Sequence, residues 1–540
     1  MHTTTRALLA TLAAAAAMTA AAQQPAPAKK PMSSPHANTY DRAVAGRYER
    51  READWRNGPI VYQVLVDRFA PAANLDAKRA LYPAPKTLRS WNEEPTRGVY
   101  LPKEGLWSHE IDFWGGDLAS TRGRLDHVQQ LGADVLYLNP IHLGYTNHKY
   151  DSLDYHAVSP EFGTRDDVRA LAAELKRRGM KLVLDGVFNH MGRKSQAFRE
   201  AEADPKSPYR SWFVFGTQFK DGFRGWWNVG NLPELNLEHK PVRDHVYGAK
   251  DSVVRSYLRD GVDGWRLDVA FDIGFRFLDE LTRAAHAEKP GSLVVGEIPN
   301  YPREWFPSVD GVMHFGLRKL MIAAANRQLP PQDFTRMVAR MVGDADYEHL
   351  LKSWVYLDNH DTFRLATTVP DPQARRLAQA LQFTLPGAVN LYYGSAVAME
   401  GVDDPEMRGP MRWDLVEAGH PDLDWTRKLV AVRKASRALR VGDFRTLEAS
   451  GPVIAYERHT DRAGDTVLVL VNPGTEAVET TVLVPNSKLM DGDNLVDQLS
   501  GLVVNLQAAM IQARIPAQTA WLLKPKLVTD GGYSNFKRVQ

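Results

Sequence analysis

The chain has 540 residues, of which 44% are hydrophobic, 24% charged and 9% aromatic, a composition typical of a folded soluble protein with about two to four domains. Sixty-seven Lys and Arg residues balance 65 acidic residues, and the net charge of +2 gives no electrostatic reason to expect a nucleic acid or an anionic membrane as partner. The absence of cysteine excludes disulfides, zinc–thiolate sites, iron–sulfur clusters and a cysteine nucleophile. We expect a large enzyme or binding protein that uses oxygen and nitrogen ligands.

The N-terminus has the features of a secretory signal. A short basic stretch ends at Arg6, an apolar run covers residues 7–20, and small residues precede Gln23. The apolar run is shorter than the roughly 20 residues needed to span a bilayer. We therefore predict a signal peptide over residues 1–22, export to the periplasm or medium of a bacterium, and no membrane attachment after cleavage. An Ala-rich buried helix is the alternative.

A strand–helix alternation dominates the next 380 or so residues. Residues 23–57 precede it and are predicted to be a linker, because their first part is rich in Ala, Pro, Gln and Lys. Eight β-rich apolar runs follow, at residues 60–66, 135–139, 181–187, 262–269, 293–297, 311–315, 354–359 and 389–393. Eight strands separated by helices predict an α/β fold, a (β/α)8 TIM barrel over residues 58–436. A doubly wound open sheet is the alternative, but its usual glycine-rich phosphate loop is missing.

Two segments depart from this alternation. The connection between the third and fourth runs is too long for a plain crossover and is rich in Trp, Phe, Gly and Asn, so we predict a small excursion domain over residues 191–245. After residue 436 the pattern changes to alternating strands. This change predicts a C-terminal antiparallel β-sandwich domain over residues 437–525, followed by a tail over residues 526–540.

Polar residues follow four of the predicted strands, at the C-terminal ends where barrel enzymes place their active sites. The third run ends in Asp185-Gly-Val-Phe-Asn189-His190, the fourth in Arg266-Leu-Asp268, the fifth in Glu297 and the seventh in Asp358-Asn359-His360-Asp361. Any one of these residues could cap a helix or face solvent. Their occurrence at four strand ends, in order, instead predicts one catalytic rim.

These four segments resemble the signature regions of the α-amylase family, glycoside hydrolase family 13, and the resemblance covers roughly residues 58–525. Two more segments strengthen it. Asp404-Pro-Glu-Met-Arg408 resembles the family's Asp-Pro-x-x-Arg segment, and Trp226-Trp227-Asn-Val-Gly-Asn-Leu-Pro-Glu-Leu-Asn236 resembles its fifth conserved segment. The resemblance implies a retaining hydrolase of α-1,4 or α-1,6 glucosidic bonds in maltooligosaccharides, cyclodextrins or starch.

The residue types suit this chemistry. Retaining cleavage needs two carboxyl groups about 5–5.5 Å apart, one as nucleophile and one as acid/base. Asp268 fits the nucleophile, because Arg266 lies two residues earlier on the same face of the strand and would keep the carboxylate ionised. Glu297 fits the acid/base, because a drier setting would raise its pKa. The resemblance implies that Asp361 binds sugar hydroxyls and supports the transition state.

The resemblance also implies further sugar contacts. His190 and His360 would serve as neutral donors to hydroxyls, Tyr150 would stack on the cleaved glucose, and Asp404 and Arg408 would reach its hydroxyls.

The role of the tandem tryptophans stays open at this point. Trp226 and Trp227 could be stacking platforms for glucose rings or the core of the excursion domain. Together with Phe113-Trp-Gly-Gly-Asp117 they resemble the neopullulanase and cyclomaltodextrinase group, whereas Tyr356-Leu-Asp-Asn-His-Asp361 resembles ordinary α-amylases.

Calcium is implied only by the resemblance. Many relatives use the asparagine of the first signature region, here Asn189, as a ligand. A neopullulanase-type site would instead use Asn74 and Asp76 with Gly115 and Asp117. The sequence does not choose between these sites, and it indicates no organic cofactor.

Two other functions compete with hydrolysis of an α-glucan. A transglycosylase or phosphorylase-like transferase of the same family would share the catalytic residues. A non-catalytic glucan-binding protein typically loses the nucleophile or the acid, whereas Asp268 and Glu297 are both present. The expected partner is an α-glucan in each case, and the sequence leaves the oligomeric state, the linkage preference and the choice of endo or exo action open.

Overall fold

The computed structural model describes residues 39–526 apart from residue 493, together with residues 529–530 and 533–534. The predicted signal peptide, the first part of the predicted linker and most of the predicted tail lie outside the described residues. Within the described part of the chain, no helix combines the length and the apolar character needed to cross a membrane.

Eight parallel strands form the predicted barrel. They are β1 (Ile60–Val64), β2 (Val135–Leu138), β3 (Lys181–Gly186), β4 (Gly264–Leu267), β5 (Leu293–Gly296), β6 (Gly311–Val312), β7 (Trp354–Val355) and β8 (Ala388–Tyr392). Neighbours in the chain pair with each other, β8 pairs with β1, and a parallel bridge between Met313 and Trp354 joins β6 to β7. The ring is therefore closed, and the barrel prediction is confirmed.

Helices surround the barrel and supply its outer layer. Those of six residues or more are Leu118–Gly123, Leu125–Gln130, Arg165–Arg177, Val253–Arg259, Phe275–Glu288, Phe315–Ala325, Pro331–Asp344, Tyr347–Lys352, Pro372–Thr384 and Pro421–Ala435, and the five-residue helix Arg437–Val441 follows the last of them. Short helices lie in the loops at Val66–Phe69, Lys240–Arg243, Ala270–Ile273, Leu365–Thr368 and Trp413–Glu417. Between β5 and β6 the chain makes a single 3-10 turn at Phe306–Ser308.

The helix Arg165–Arg177 illustrates how the sequence builds this layer. The Thr164 hydroxyl caps its N-terminus by accepting a hydrogen bond from the backbone N–H of Asp167. Leu171 and Leu175, four residues apart, lie on one face and are fully buried. Burial of each such side chain stabilises the fold by about 1.5–3 kcal/mol. Charged residues elsewhere on the helix, such as Lys176 and Arg177, are exposed to solvent.

Two insertions rise above the barrel. The predicted excursion domain contains the helix Gln196–Ala203 and two 3-10 turns, Arg210–Trp212 and Trp226–Asn228, around an aromatic core. A second insertion between β1 and β2 was not predicted. It contains the 3-10 helices Asp76–Leu81 and Ser108–Ile111, the parallel pair Thr87–Leu88 and Asp112–Phe113, and the hairpin Tyr100–Leu101 with Leu106–Trp107. After β2 a further hairpin pairs His142–Gly144 with Ser152–Val158.

The C-terminal domain is the expected antiparallel β-sandwich. One sheet contains Asp443–Thr446, Ile454–His459, Val467–Asn472, Thr519–Pro525, Asn494–Asp497 and Val503–Asn505, and the other contains Glu448–Ala449, Val478–Leu483 and Met510–Ile515. Buried side chains of both sheets, such as Leu470 and Ile511, form one apolar cluster between them.

The N-terminal linker prediction is wrong for residues 39–53, which form the helix Thr39–Ala53. Ion pairs attach this helix to the rest of the protein. Arg51 is 4% exposed and lies 2.8 Å from both Glu348 and Asp443, and the Tyr48 hydroxyl donates to Asp443 at 2.6 Å. Because the attachment is largely polar, the helix lacks the apolar stripe by which a sequence signals a packed helix.

Candidate active site

The inward faces of the strands change from apolar to polar toward their C-terminal ends. Val61, Val183 and Val295 lie in the buried cluster inside the barrel. Two residues further along the same strands, and so on the same face, stand Gln63, Asp185 and Glu297. The apolar layer fills the barrel, and the polar layer above it forms the floor of a cleft.

Arg266 on β4 lies at the centre of this polar layer and is fully buried. Its Nη1 donates to Asp185 Oδ1 at 2.9 Å and to Asp268 Oδ1 at 2.9 Å. Its Nη2 lies 3.0 Å from Glu297 Oε2. One guanidinium therefore brings together carboxyl groups from three neighbouring strands, as its fork of donors allows.

The backbone after Asp268 holds Glu297 in place. Val269 adopts a left-handed conformation with φ of 38°, which is strained for a β-branched residue. This conformation lets the Val269 N–H donate to Glu297 Oε2 at 2.9 Å. Glu297 is thus fixed both by Arg266 and by the residue that follows Asp268.

The pKa values of this pair depend on burial and on mutual repulsion. Burial raises the pKa of Glu297, and Asp361 adds to this effect while Arg266 opposes it. Burial also raises the pKa of Asp268, and the nearby carboxyl groups raise it further against the effect of Arg266. Arg266, whose Nη1 lies 2.9 Å from Asp268 Oδ1, thus lowers the pKa of Asp268 against burial and the repulsion of the neighbouring carboxyl groups.

Asp361 differs from this pair because its side chain is 42% exposed to the cleft. His360 Nε2 lies 2.9 Å from its Oδ2, and Arg408 Nη2 lies 3.2 Å from its Oδ1. Desolvation acts to raise the pKa of Asp361, but His360, Arg408 and Arg266 together hold it well below its usual range. The lowered pKa favours the charged form of Asp361 at neutral pH.

Tyr150 connects the two halves of the floor. Its hydroxyl donates to Asp185 Oδ2 at 2.9 Å, accepts from Asn139 Nδ2 at 2.9 Å and lies 2.5 Å from His360 Nε2. Its ring is nearly parallel to that of His360, with the centroids 5.3 Å apart. Burial raises the pKa of Tyr150 well above its ordinary value, so the hydroxyl stays neutral.

His190 and the tandem tryptophans form one wall of the cleft. The His190 ring donates to the Tyr150 carbonyl at 3.2 Å and stacks on Trp226, and burial lowers the pKa of His190 to about 4, so it is neutral at neutral pH. Trp226 Nε1 donates to Asp272, and Trp227 stacks on Trp226 while 71% of its own surface is exposed. Phe198, Phe213 and Phe223 form the core of the excursion domain instead. The tryptophans are therefore wall residues and not core.

The cleft has a volume of about 640 Å³, enough for part of an oligosaccharide. It is lined by His148, Tyr150, His190, Trp226, Trp227, Leu232, Asp268, Val269, Phe271, Glu297, Pro299, Phe315, Asp361, Asp404 and Arg408. Asp404 pairs with Arg408 at 3.1 Å, and Arg408 Nε donates to the His360 carbonyl. Aromatic walls with a floor of carboxylates are suited to a polyhydroxylated, ring-shaped ligand.

Comparison with known proteins decides the family. Residues 63–439, more than half of the chain, match the family model described as the catalytic domain of alpha amylase. The chain belongs to the α-amylase family. Cyclomaltodextrinase of Bacillus sp. is 30% identical over 432 residues, which cover 77% of this chain and 73% of the relative. Neopullulanase 2 of Thermoactinomyces vulgaris is 30% identical over 460 residues, which cover 83% and 74%.

Solved structures of the α-amylase family give the same result. Cyclic alpha-maltosyl-(1→6)-maltose hydrolase from Arthrobacter globiformis, in complex with maltose, has a TM-score of 0.73 at 29% identity, covering 87% of this chain and 100% of that one. The type III pullulan hydrolase from Thermococcus kodakarensis has a TM-score of 0.74 at 27% identity, covering 87% and 82%. The protein is therefore a glycoside hydrolase of this family.

Sequence reasoning missed three polar residues of the floor, Gln63, Tyr137 and Asn139. Gln63 Nε2 donates to His360 Nδ1 at 2.9 Å, which leaves the His360 proton on Nε2, facing Asp361. Tyr137 donates to Asp185 at 2.5 Å. Asn139 ends the second predicted strand, so the strand-end rule applied to all eight strands would have found it, whereas Gln63 lies inside the first predicted run, which extends beyond the observed strand to residue 66.

The residues of the neopullulanase-type metal site do not fit calcium in this member of the α-amylase family. The Lys78 ammonium donates to Asp117 Oδ2 at 3.0 Å and lies 3.4 Å from the Gly115 carbonyl oxygen, so a side-chain cation fills the position between them. Asn74 Oδ1 accepts from the Ala77 N–H, and Asp76 pairs at the surface with Arg79. The residues expected to bind one calcium ion together therefore contact different protein groups instead.

Asn189, the other predicted ligand, lies buried with its Nδ2 3.5 Å from His190 Nδ1. Among the residues that the structure describes, no group of three or more His, Asp or Glu side chains is arranged to hold a metal ion.

Replacement of Lys78 by methionine tests the metal interpretation. We expect Lys78→Met to lower the melting temperature by about 2–4 °C, because loss of the partly buried pair costs on the order of 1 kcal/mol. Millimolar calcium should then raise the melting temperature of this variant more than that of the wild type, since Asp117 and the Gly115 carbonyl become available. Differential scanning calorimetry with calcium or with a chelator measures both effects.

The exposed neighbour Arg79 provides the matched control, and Arg79→Met should behave like the wild type. A fall in the wild-type melting temperature on chelation that Asp117→Asn abolishes would contradict the interpretation, because it would place calcium on Asp117.

Proposed function

We propose that the protein is a retaining hydrolase of α-glucosidic bonds in cyclodextrins and maltooligosaccharides. The observation that carries this proposal is the pair of carboxyl groups of Asp268 and Glu297 held by the two ends of one buried guanidinium. Attachment to one guanidinium keeps the two carboxyl groups on the same side of the cleft floor, as the nucleophile and the acid/base of a retaining enzyme need to act on one bond.

The first step forms a glycosyl-enzyme. Asp268 Oδ1 accepts from Arg266, which leaves Oδ2 to attack the anomeric carbon. Glu297, whose pKa is raised by burial, donates its proton to the glycosidic oxygen, so the bond to the leaving sugar breaks as the ester bond to Asp268 forms. Glu297 then removes a proton from water, whose oxygen attacks the anomeric carbon and releases the Asp268 carboxylate.

The residues around this pair bind the sugar that is being cleaved. Positive charge develops on the ring in the oxocarbenium-like transition state, and the charged Asp361 lies at the cleft surface to stabilise it. His190 and Tyr150 line this part of the cleft, Tyr150 supplies a ring face, and the His360 Nε2–H orients the Asp361 carboxylate toward the sugar. Asp404 and Arg408 continue the polar surface along the cleft.

The substrate class is proposed from the relatives and the cleft walls. Cyclomaltodextrinase and neopullulanase by name act on cyclodextrin and pullulan. The Trp226 and Trp227 rings form an aromatic wall at the mouth, suited to the apolar inner surface of a curved glucan.

Initial hydrolysis rates on β-cyclodextrin and on soluble starch, measured side by side, test the substrate class. We expect the rate on cyclodextrin to exceed that on starch severalfold, with Asp268→Asn as the blank. A clear preference for starch would move the protein to the ordinary α-amylases and would make the tryptophan resemblance incidental. Products longer than the substrate would show transfer and support the transglycosylase alternative.

A further inference from the structure

The hairpin Tyr100–Leu101 with Leu106–Trp107 presents an unusual amount of aromatic surface to solvent. Val99, Tyr100 and Trp107 are 68%, 52% and 46% exposed. Tyr100 and Trp107 are cross-strand partners, and their rings meet edge to face with the centroids 5.8 Å apart. Single exposed apolar residues are common, but three adjoining ones form a patch that needs an explanation.

His109 connects this patch to the cleft. The Trp107 ring stacks on the His109 ring with the centroids 6.2 Å apart, and His109 Nε2 lies 3.6 Å from Asp404 Oδ2. The Gly98 N–H donates to His109 Nδ1 at 3.1 Å, which leaves the ring proton on Nε2, facing Asp404. Only glycine fits at position 98, because an added Cβ would lie 2.7 Å from the backbone nitrogen of His109.

A second path fixes the hairpin to the same end of the cleft. The Trp107 N–H donates to Glu110 Oε2 at 2.5 Å, and Glu110 Oε1 lies 3.3 Å from Nε2 of His148, which lines the cleft. Polar groups border the aromatic surface as well, with Arg97 4.0 Å from Asp403, the residue next to Asp404. The hairpin is therefore a rigid continuation of the cleft wall.

We propose that Tyr100 and Trp107 form a carbohydrate-binding platform that holds glucose units of the substrate beyond Asp404, outside the cleft described above. This inference rests on the proposed function and adds to it a preference for longer chains. Continuity with the cleft through His109 identifies the occupant as the substrate chain itself. Aromatic faces bordered by charged and polar groups match a glucan, which has apolar ring faces and hydroxylated edges.

Chain-length dependence tests the platform. Trp107→Ala, Tyr100→Ala and the double variant are compared with the wild type by kcat/KM on maltotriose and on maltoheptaose. We expect the ratio of kcat/KM for maltoheptaose to that for maltotriose to fall about tenfold in Trp107→Ala, the size of one lost stacking contact, and further in the double variant. Trp107→Phe should keep most of the ratio, since it keeps a ring.

Val503→Ala in the C-terminal domain is the matched control, because it removes a side chain that is 52% exposed and far along the chain from the cleft. Equal losses on both substrates would overturn the proposal, since they would mean that the hairpin acts only by positioning Asp404 through His109. An unchanged ratio in the double variant would overturn it too. A Trp107→Ala variant that converts a dimer to a monomer in analytical ultracentrifugation would assign the patch to a second copy of the chain instead.

Direct binding separates this inference from the proposed function. In an Asp268→Asn background, isothermal titration calorimetry with maltoheptaose should show about tenfold weaker binding when Trp107 is alanine. A wild type that binds maltoheptaose but hydrolyses no α-glucan would refute the proposed function and leave the platform standing. Hydrolysis by the wild type, together with equal affinity of Asp268→Asn and of Asp268→Asn with Trp107→Ala for maltoheptaose, would refute the platform alone.

Discussion

Asp268→Asn is expected to lower kcat/KM on maltooligosaccharides by about 10⁴-fold or more while leaving the fold intact. The amide has the shape of the carboxylate, and its oxygen can still accept the 2.9 Å hydrogen bond from Arg266 Nη1. It lacks the negative charge needed to form the glycosyl ester, so the first step fails. Initial rates measure the loss of turnover. Calorimetric titration with maltoheptaose measures the retained binding, and the dissociation constant should stay within a few-fold of the wild-type value.

Asp279→Asn is the matched control for this substitution. Asp279 lies on the helix Phe275–Glu288 that follows the same strand, and it pairs with Arg283 at 2.5 Å on the surface. Its replacement should leave turnover unchanged. Near-normal turnover in Asp268→Asn would reject the nucleophile assignment, and loss of binding together with turnover would mean that the residue organises the cleft through Arg266.

The fold and the catalytic floor could be predicted because both follow from local patterns. The alternation of strands and helices is visible in the sequence. The C-terminal ends of the strands meet at one rim of the barrel, independent of the length and sequence of the loops. Asp185, Arg266, Asp268 and Glu297 were found in this way, and the structure brings all four into contact.

The parts that were not predicted depend on contacts between distant segments. The helix Thr39–Ala53 is attached by Arg51 to Glu348 and Asp443, some 300–390 residues away in the chain. No local sequence pattern predicts such long-range ion pairs. Lys78 beside Asp117 is another case, because nothing in either segment alone shows that an ammonium group reaches the expected metal position. The pKa of Asp268 likewise depends on burial and on the balance between Arg266 and the surrounding carboxyl groups, and the sequence shows which charges are present but not how deeply they are buried.

Glu297→Gln is expected to lower kcat/KM on maltooligosaccharides by about 10²–10⁴-fold, the contribution of a general acid. A substrate with a good leaving group, such as α-maltosyl fluoride, needs no protonation to depart, so its first step should be nearly normal. The second step should still be slow, because the glutamine cannot take a proton from water. A glycosyl-enzyme should therefore accumulate on Asp268, and mass spectrometry of the intact protein detects it as one added maltosyl group.

The pH profile gives an independent test of the same residue. Glu297 must be protonated to act as the acid, and burial raises its pKa above the ordinary glutamate value. For the wild type, kcat/KM should therefore fall as pH rises through that raised pKa, so the alkaline limb lies above the range of an exposed carboxyl group. With α-maltosyl fluoride, whose fluoride departs without protonation, the same limb should be absent from the wild-type profile.

Azide distinguishes a lost acid/base from a damaged site in the Glu297→Gln variant. As an anion that attacks without deprotonation, it should release the glycosyl-enzyme and restore turnover on α-maltosyl fluoride, giving maltosyl azide with retained configuration. No rescue and no accumulation, in a variant that melts like the wild type, would mean that Glu297 mainly serves to hold Val269 and Arg266 in place. Rescue would fix its role as the proton donor and acceptor, because only a missing proton transfer is bypassed by a nucleophile that carries none.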